Sequence, residues 1–452
     1  MFSRNRPPFA ELHFLCITVL LFHNSIDIIR KHIILSVNPL KTMEKETEML
    51  QFQIEAERCL QCKNPSCRKG CPVNTDIPGA IKLLREGHLI DAGKQLFENN
   101  PLSLICAIVC NHGRQCEGHC VRGIKGDPVH WGYVERYISD TCLDRMEIPC
   151  APATGRQVAI IGGGPAGLTA AVELMRKGHE VTIFEAESQL GGMLRYGIPD
   201  FRLPNRILDR YTNMLLRSGL HLRLHTSIGT SLFIPDLFRD GYDAVFIASG
   251  LWRARPLNVP GESLPNVCYG IHYLASPDSF QIGKRLAVIG TGNTAIDVAR
   301  TALHRGVEYV TLYARRAQSA ADPVEIELAK LEGAEFRSEM QICRITKEGP
   351  VFHHTHVAED GTFLSVDPEE ILEPADFTII AASQGPKSKL VNTTFGLEVT
   401  DKGLLKLDEN HCSTVPGIFG AGDVVHGGKT VVEAVAGAKA AAEAVDNYLN
   451  NL

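Results

Sequence analysis

Eight of the chain's 14 cysteines fall between residues 59 and 120. They form two runs, Cys59-x2-Cys62-x4-Cys67-x3-Cys71-Pro72 and Cys106-x3-Cys110-x5-Cys116-x3-Cys120. Closely spaced cysteines support three chemistries: a disulfide framework, zinc binding or iron–sulfur ligation. Disulfide frameworks belong mainly to small secreted domains, and this chain has 452 residues. Runs closed by a Cys-Pro pair are used for iron–sulfur clusters, although the four-residue second gap is not the spacing of two-cluster ferredoxins. Two Cys₄ zinc sites are the alternative. The nucleotide motifs downstream favour clusters, because a cluster exchanges single electrons with a flavin and zinc does not.

The second kind of chemistry is dinucleotide binding. Residues 158–161 are an apolar run that leads into Gly162-Gly163-Gly164-Pro165-Ala166-Gly167. In the G-x-G-x-x-G pattern Gly162 permits the tight turn, Gly164 admits the pyrophosphate and Gly167 lets helix pack on strand. The pyrophosphate rests on the helix N-terminus. Glu185, at the end of the next apolar run, is placed to accept from a ribose hydroxyl. Near the C-terminus Ile418-Phe-Gly-Ala-Gly422-Asp423 ends another apolar run. A carboxylate there suits the ribityl chain of FAD. The design recurs at Gly290-Thr-Gly292-Asn293-Thr294-Ala295. Here the following strand, 309–313, ends in Arg315 and Arg316 rather than an acid, which indicates the 2′-phosphate of NADP(H), with NAD(H) as the alternative.

These motifs require strands, turns and helices in a fixed order. The spacing predicts strands at 158–161, 180–184 and 309–313, with helices at 168–176 and about 431–448. Residues 75–99 read as one helix between the cysteine runs. The resulting fold is α/β: two nested Rossmann-type domains, for FAD and NAD(P)H, preceded by a small helical domain that carries the two cysteine runs and the metal centres they favour. Expected boundaries are 43–150 for the cluster domain, 151–256 and 374–452 for the FAD domain, and 257–373 for the NAD(P)H domain. Residues 375–383 are expected to carry the return crossing. Residues 12–22 are an apolar run of signal-peptide character, too short to span a bilayer. Met43 is the expected true start, which leaves 1–42 outside the fold. The composition is that of a soluble protein, with 44% hydrophobic and 22% charged residues and mean hydropathy −0.03. A net charge of −6 gives no basic field for nucleic acid. Thiolate chemistry points to the cytoplasm.

Several stretches together carry a resemblance: Arg58-Cys-Leu-Gln-Cys-Lys-Asn-Pro-Ser-Cys67, Gly70-Cys-Pro-Val73, the second cysteine run, Gly191-Gly192-Met-Leu194, Gly197-Ile-Pro-Asp-Phe-Arg-Leu-Pro204 and Gly422-Asp423. Over about residues 55–450 the chain resembles the small subunit of NADPH-dependent glutamate synthase and, equally, the N-terminal electron-transfer half of dihydropyrimidine dehydrogenase. The resemblance implies two [4Fe–4S] clusters with crossed ligation. Cys59, Cys62, Cys67 and Cys120 would hold one; Cys71, Cys110, Cys116 and Glu135 the other, with Cys106 a non-ligand. Arg202 matches a flavin-contacting arginine. Ser383 stands where the family has glycine, before Gln384, and residues 317–322 lack a further family arginine.

The implied activity is an NAD(P)H oxidoreductase subunit that passes electrons through FAD and the clusters to a partner. No acid–base residue stands out for the hydride step, and catalytic residues are unassigned. The three domains use up residues 43–452, leaving no room for an amidotransferase or an FMN barrel of about 250 residues. The acceptor is therefore expected on a glutamate synthase large subunit, on an FMN-barrel pyrimidine dehydrogenase subunit, or on a ferredoxin-like carrier, with no nucleic acid or membrane involved. Two other readings are a flavoprotein disulfide reductase with structural zinc and a cofactor-binding subunit without turnover. The first needs a redox cysteine pair, and the nucleotide domains offer only Cys268, Cys343 and Cys412, none of them paired in sequence.

Overall fold

The computed structural model describes residues 52–316, 321–357 and 363–452. The expectations for residues 1–42, for Met43 and for 317–320 lie outside the described residues. The chain divides into two compact units, 1–60 and 61–452. In the first, residues 52–57 are helical, and Arg58 pairs with Glu55 at 2.7 Å one turn back. Cys59 belongs to this unit; everything below concerns the second.

After a single helical turn at Ser66–Lys69, the second unit continues with helices α1 (Ile77–Arg85), α2 (Leu89–Asn99), α3 (Ser103–Val109) and α4 (Trp131–Cys142). The single helix expected over 75–99 is two. Gly87 adopts φ +81° and the amide of His88 turns back to the carbonyl of Leu83 at 2.8 Å, a left-handed C-terminal stop. The apolar faces of α1 and α2 continue through the break, so periodicity alone reads straight across it.

The first nucleotide domain follows as β1 (Gln157–Ile161), α5 (Pro165–Arg176), β2 (Glu180–Phe184), α6 (Asn205–Arg217), β3 (His221–Arg223) and β4 (Ala244–Ile247). A short connector, β5 (Arg253–Ala254), leads to the second domain. That domain contains β6 (Val267–Tyr269), β7 (Arg285–Ile289), α7 (Asn293–His304), β8 (Tyr309–Tyr313), α8 (Pro323–Leu331) and β9 (Ala334–Arg337). An antiparallel group, β10 (Met340–Thr346), β11 (Gly349–Val357), β12 (Phe363–Val366) and β13 (Ile371–Leu372), precedes β14 (Phe377–Ile380). The chain returns through β15 (Gln384–Gly385) to β16 (Ile418–Gly420) and α9 (Val431–Asn450).

Both main sheets are parallel. Their orders are β16-β4-β1-β2-β3 and β6-β14-β7-β8-β9, the Rossmann arrangement in which a crossover reverses beside the first strand. β14 belongs to the second sheet, where Phe377–Ile380 pairs with Leu286–Ile289. The expected boundary at 374 is therefore corrected: the second domain runs through β14, and the crossing is β15, which pairs with β5. The apolar run Phe377–Ile380 is buried throughout, as a central parallel strand must be.

One apolar core joins the cluster domain to the first nucleotide domain. Leu104, Ile105 and Phe97 share it with Val158, Leu168 and Val435. Arg176 reinforces the joint by donating to the carbonyls of Phe97 at 2.9 Å and Glu98 at 3.1 Å. The second domain has its own core around Leu286, Val288, Ile296 and Ile379. No described helix is long and apolar enough to cross a membrane.

Candidate functional site

The turn after β1 is built as its glycines imply. Gly162 takes φ +105°, and a Cβ on Gly167 would lie 1.9 Å from the Gly162 carbonyl oxygen, so α5 meets the turn backbone to backbone. Pro165 occupies the first helical turn of α5, where its missing N–H costs nothing. Glu185 is buried and accepts from the amides of Gly163 at 2.7 Å and Glu187 at 2.9 Å. Burial raises its pKa, and those amide bonds oppose the rise. Its carboxylate thus braces the glycine loop as well as facing the cleft.

A cleft of about 1030 Å³ runs along this turn. Gly162, Gly164, Pro165, Ala166, Glu185, Gly192, Arg202, Gly422 and Asp423 all line it. It fits an extended dinucleotide: a Cβ on Gly192 would stand 2.9 Å from Cα of Gly164, so the passage between these two segments tolerates only bare backbone. Asp423 accepts from the amide of Lys429 at 3.2 Å. Burial raises its pKa to about 6.

Other domains supply the rest of the lining. Asn293, Thr294 and Asp297 come from α7 and Gln384 from the crossing; Val109, Cys110 and Pro72 come from the cluster domain. Gly290, Gly292, Arg315 and Arg316 of the second motif lie outside this lining. Gly290 takes φ +128°, and a Cβ on Gly292 would meet open space. Arg315 and Arg316 are exposed beyond β8. The Thr355 hydroxyl donates to the Arg315 carbonyl at 3.1 Å. Ser383 is exposed and its carbonyl accepts from the amide of Arg255.

Arg202 has partners that the sequence did not disclose. Its guanidinium donates to Asp297 at 2.5 Å and pairs with Glu325 at 2.9 Å, both in the second domain. Its neighbour Phe201 stacks on His304, ring centroids 4.1 Å apart, with Arg300 above it at 5.0 Å. The segment is therefore a clasp between the two nucleotide domains. Burial raises the pKa of Asp297 to about 6, and Arg202 holds it from going higher.

In the cluster domain the two cysteine runs lie side by side. A Cβ on Gly70 would reach within 2.5 Å of the His119 ring and 2.9 Å of the Gln115 carbonyl. Cys116 is buried, and burial followed by the nearby Glu135, Glu117 and Cys71 raises its pKa. The Cys110 thiol is raised first by a hydrogen bond with Cys106 and then by burial, Glu135 and Cys116. Glu135 on α4 is 5% exposed; burial and then Cys106 raise its pKa well above the carboxylate range. Soft thiols and one carboxylate converging in a buried pocket are a donor set for an iron–sulfur centre. Cys106 is buried beside Cys110, which lowers its pKa while burial opposes the shift. Cys67 is half-buried on the short helix Ser66–Lys69, and Cys62 and Cys120 are half-buried on the adjoining loops.

Some residues lacked a sequence signal. Glu117 accepts from the amide of Gly132 at 2.9 Å and thereby ties the second cysteine loop to α4. The buried Nε2 of His112 has no hydrogen-bond partner. Lys387, Lys389, Lys429 and Trp252 line the dinucleotide cleft from three separate segments, with Lys389 opening the short helix Lys389–Asn392.

Comparison with known proteins agrees with this architecture. The family described as pyridine nucleotide-disulphide oxidoreductase matches residues 156–438. The family described as dihydropyrimidine dehydrogenase domain II, 4Fe-4S cluster, matches residues 36–147. The NADPH glutamate synthase small chain of Escherichia coli K12 is 31% identical over 433 residues, covering 88% of this chain and 92% of that one. The chain belongs to the glutamate synthase small-chain family. The small chain of Azospirillum brasilense is 33% identical and covers 87% of this chain and 88% of its own length. The fold is shared with Mycobacterium tuberculosis FprA in complex with NADPH, at TM-score 0.56 and 20% identity over 67% of this chain and 85% of that one. As a member of the small-chain family, the protein is a flavin- and iron–sulfur-dependent NADPH oxidoreductase. The dihydropyrimidine dehydrogenase alternative is not favoured: that likeness falls on the cluster domain, while the synthase small chains match along nearly the whole length.

Proposed function

We propose that this chain takes electrons from NADPH and delivers them, through FAD and two [4Fe–4S] clusters, to a separate glutamate synthase large chain in the cytoplasm. The observation that carries this reading is that one cleft is lined by the glycine turn of the first domain, the start of α7 in the second and Cys110 of the cluster domain. FAD supplies the needed chemistry when bound, accepting a hydride and releasing electrons singly. The protein's own residues position and exclude. Gly162, Gly164 and Gly192 leave space for the pyrophosphate, and Gly167 lets α5 close on the turn. Glu185 and Asp423 offer carboxylates to the ribose and ribityl hydroxyls. Asn293 and Thr294 hold the nicotinamide side of the cleft, and Arg315 and Arg316 receive the 2′-phosphate. Cys62, Cys67 and Cys120 are ligands of one cluster; Cys71, Cys110, Cys116 and Glu135 are ligands of the other.

The test has two steps. The isolated holoprotein should reduce a one-electron dye with NADPH and form no glutamate from glutamine and 2-oxoglutarate. Adding the large chain should restore NADPH-dependent glutamate formation. Failure of dye reduction with both NADPH and NADH would remove the oxidoreductase role; dye reduction without coupling to the large chain would remove only the partner.

A further inference from the structure

Strand β11 carries His354 and His356 two residues apart, hence on one face. Their ring centroids are 5.2 Å apart. Asp367, just beyond β12, reaches both: its Oδ1 is 2.9 Å from His356 Nε2 and its Oδ2 is 3.8 Å from His354 Nδ1. One ligand atom from each of the three lies within 4.8 Å of the others. An ion with bonds of about 2.0–2.2 Å to nitrogen and oxygen closes that spacing by side-chain rotation alone. The main chain already ties the donors together, since the Asp367 amide donates to the His354 carbonyl at 2.9 Å.

A second observation points the same way. Glu339 stands on the far side of His354, with Oε2 3.8 Å from His354 Nε2. Histidines that bind metal through one ring nitrogen commonly give the other N–H to a carboxylate, which fixes the tautomer and the ring. The backbone holds Glu339 in place, because its carbonyl accepts from the amide of Thr355 at 2.8 Å. Among the described residues no lysine or arginine pairs with Asp367 or Glu339; their partners are histidines.

We propose that His354, His356 and Asp367 bind one divalent transition-metal ion of the zinc class, with Glu339 orienting His354. None of the four lines the dinucleotide cleft, and the ion takes no part in electron transfer. It joins the β10–β11 hairpin to the segment after β12. The same hairpin supports the end of β8: the amide of Met340 donates to the Ala314 carbonyl at 3.0 Å and the Thr355 hydroxyl to that of Arg315. A second trio, Cys343, His353 and Glu370, lies nearby. Glu370 is already paired with Arg344, and a guanidinium at the carboxylate repels a second cation, so that trio carries no site.

The test uses the holoprotein with its clusters loaded, since free cluster thiolates would take zinc themselves. After dialysis against micromolar zinc chloride and gel filtration, zinc and iron are measured on the same sample. Wild-type protein and E370Q should each retain one zinc, and H354A/H356A none, at unchanged iron and flavin content. E339Q should weaken zinc affinity about tenfold. Should the double variant fold poorly, D367N gives the same reading. Equal zinc in wild type and the histidine or Asp367 variants, or no zinc in wild type, overturns the proposal.

Discussion

Glu135 and Cys106 share a buried pocket with Cys110, and the choice between them as the fourth iron ligand is a chemical one. If the carboxylate ligates, Glu135→Ala loses about half of the iron, while Cys106→Ala keeps it. Iron analysis with low-temperature EPR of the reduced protein checks this, and equal loss in both variants contradicts the assignment. Arg315 and Arg316 are exposed, with no acidic partner among the described residues, so their charge is available to a phosphate. Replacing both with alanine should raise the Kd for NADPH about tenfold or more and leave that for NADH within twofold, measured by fluorescence quenching. Residues like these were legible in the sequence because backbone geometry or charge admits few alternatives at their positions. Gly162 must take a positive φ, and Glu185 must end a strand beside a glycine turn. Lys387, Lys389, Lys429 and Trp252 were not legible, because they reach the cleft from three separate segments and belong to no nucleotide motif.

At the scale of elements, the loop between β2 and α6 acts as a clasp on α7 and α8 through Phe201 and Arg202. The energetic weight falls on Asp297, whose pKa stands at about 6, above its ordinary value near 3.9. Between those pH values the folded chain binds the extra proton, so this group's contribution to stability falls as pH rises through 6. Removing Arg202 raises the folded pKa further. Arg202→Ala should therefore cost about 3 kcal/mol at pH 8 and distinctly less at pH 5. Arg202→Ala combined with Asp297→Asn should recover most of the loss, because an uncompensated buried carboxylate costs more than the missing pair gained. Urea midpoints at the two pH values decide it; a penalty independent of pH would exclude Asp297 as its source. The clasp was hidden from sequence reading because Arg202 and Asp297 are 95 residues apart. The strands were far more visible. β1, β2 and β8 fall within a residue of expectation, since buried parallel strands are continuous apolar runs between turn signals. Assigning β14 to the right sheet was harder, since an apolar run does not say which neighbours it pairs with.

Across the whole molecule, the cluster domain and the first nucleotide domain share one core, while the second nucleotide domain has its own. Destabilising the shared core should release flavin and iron together. Leu104→Ala, fully buried at that junction, should cost about 3 kcal/mol. It should lower the temperatures of flavin release and iron bleaching in parallel, with little effect on NADPH affinity. Release of flavin at an unchanged iron-bleaching temperature would show two separate cores. The topology also sets an order of synthesis. The second domain leaves and rejoins the first through β5 and β15, which lie side by side. β16 is the edge of the first sheet, and α9 packs over α5 with Ala438 and Val445 fully buried. Domains fold as units while the chain emerges, so the inserted domain is complete before the first domain has its edge strand or covering helix. Until β16 and α9 leave the ribosome, the FAD turn has no roof. Of the two nucleotide domains, the one begun first is finished last, and a stop codon anywhere before β16 would leave a nucleotide-binding lobe folded on an open sheet.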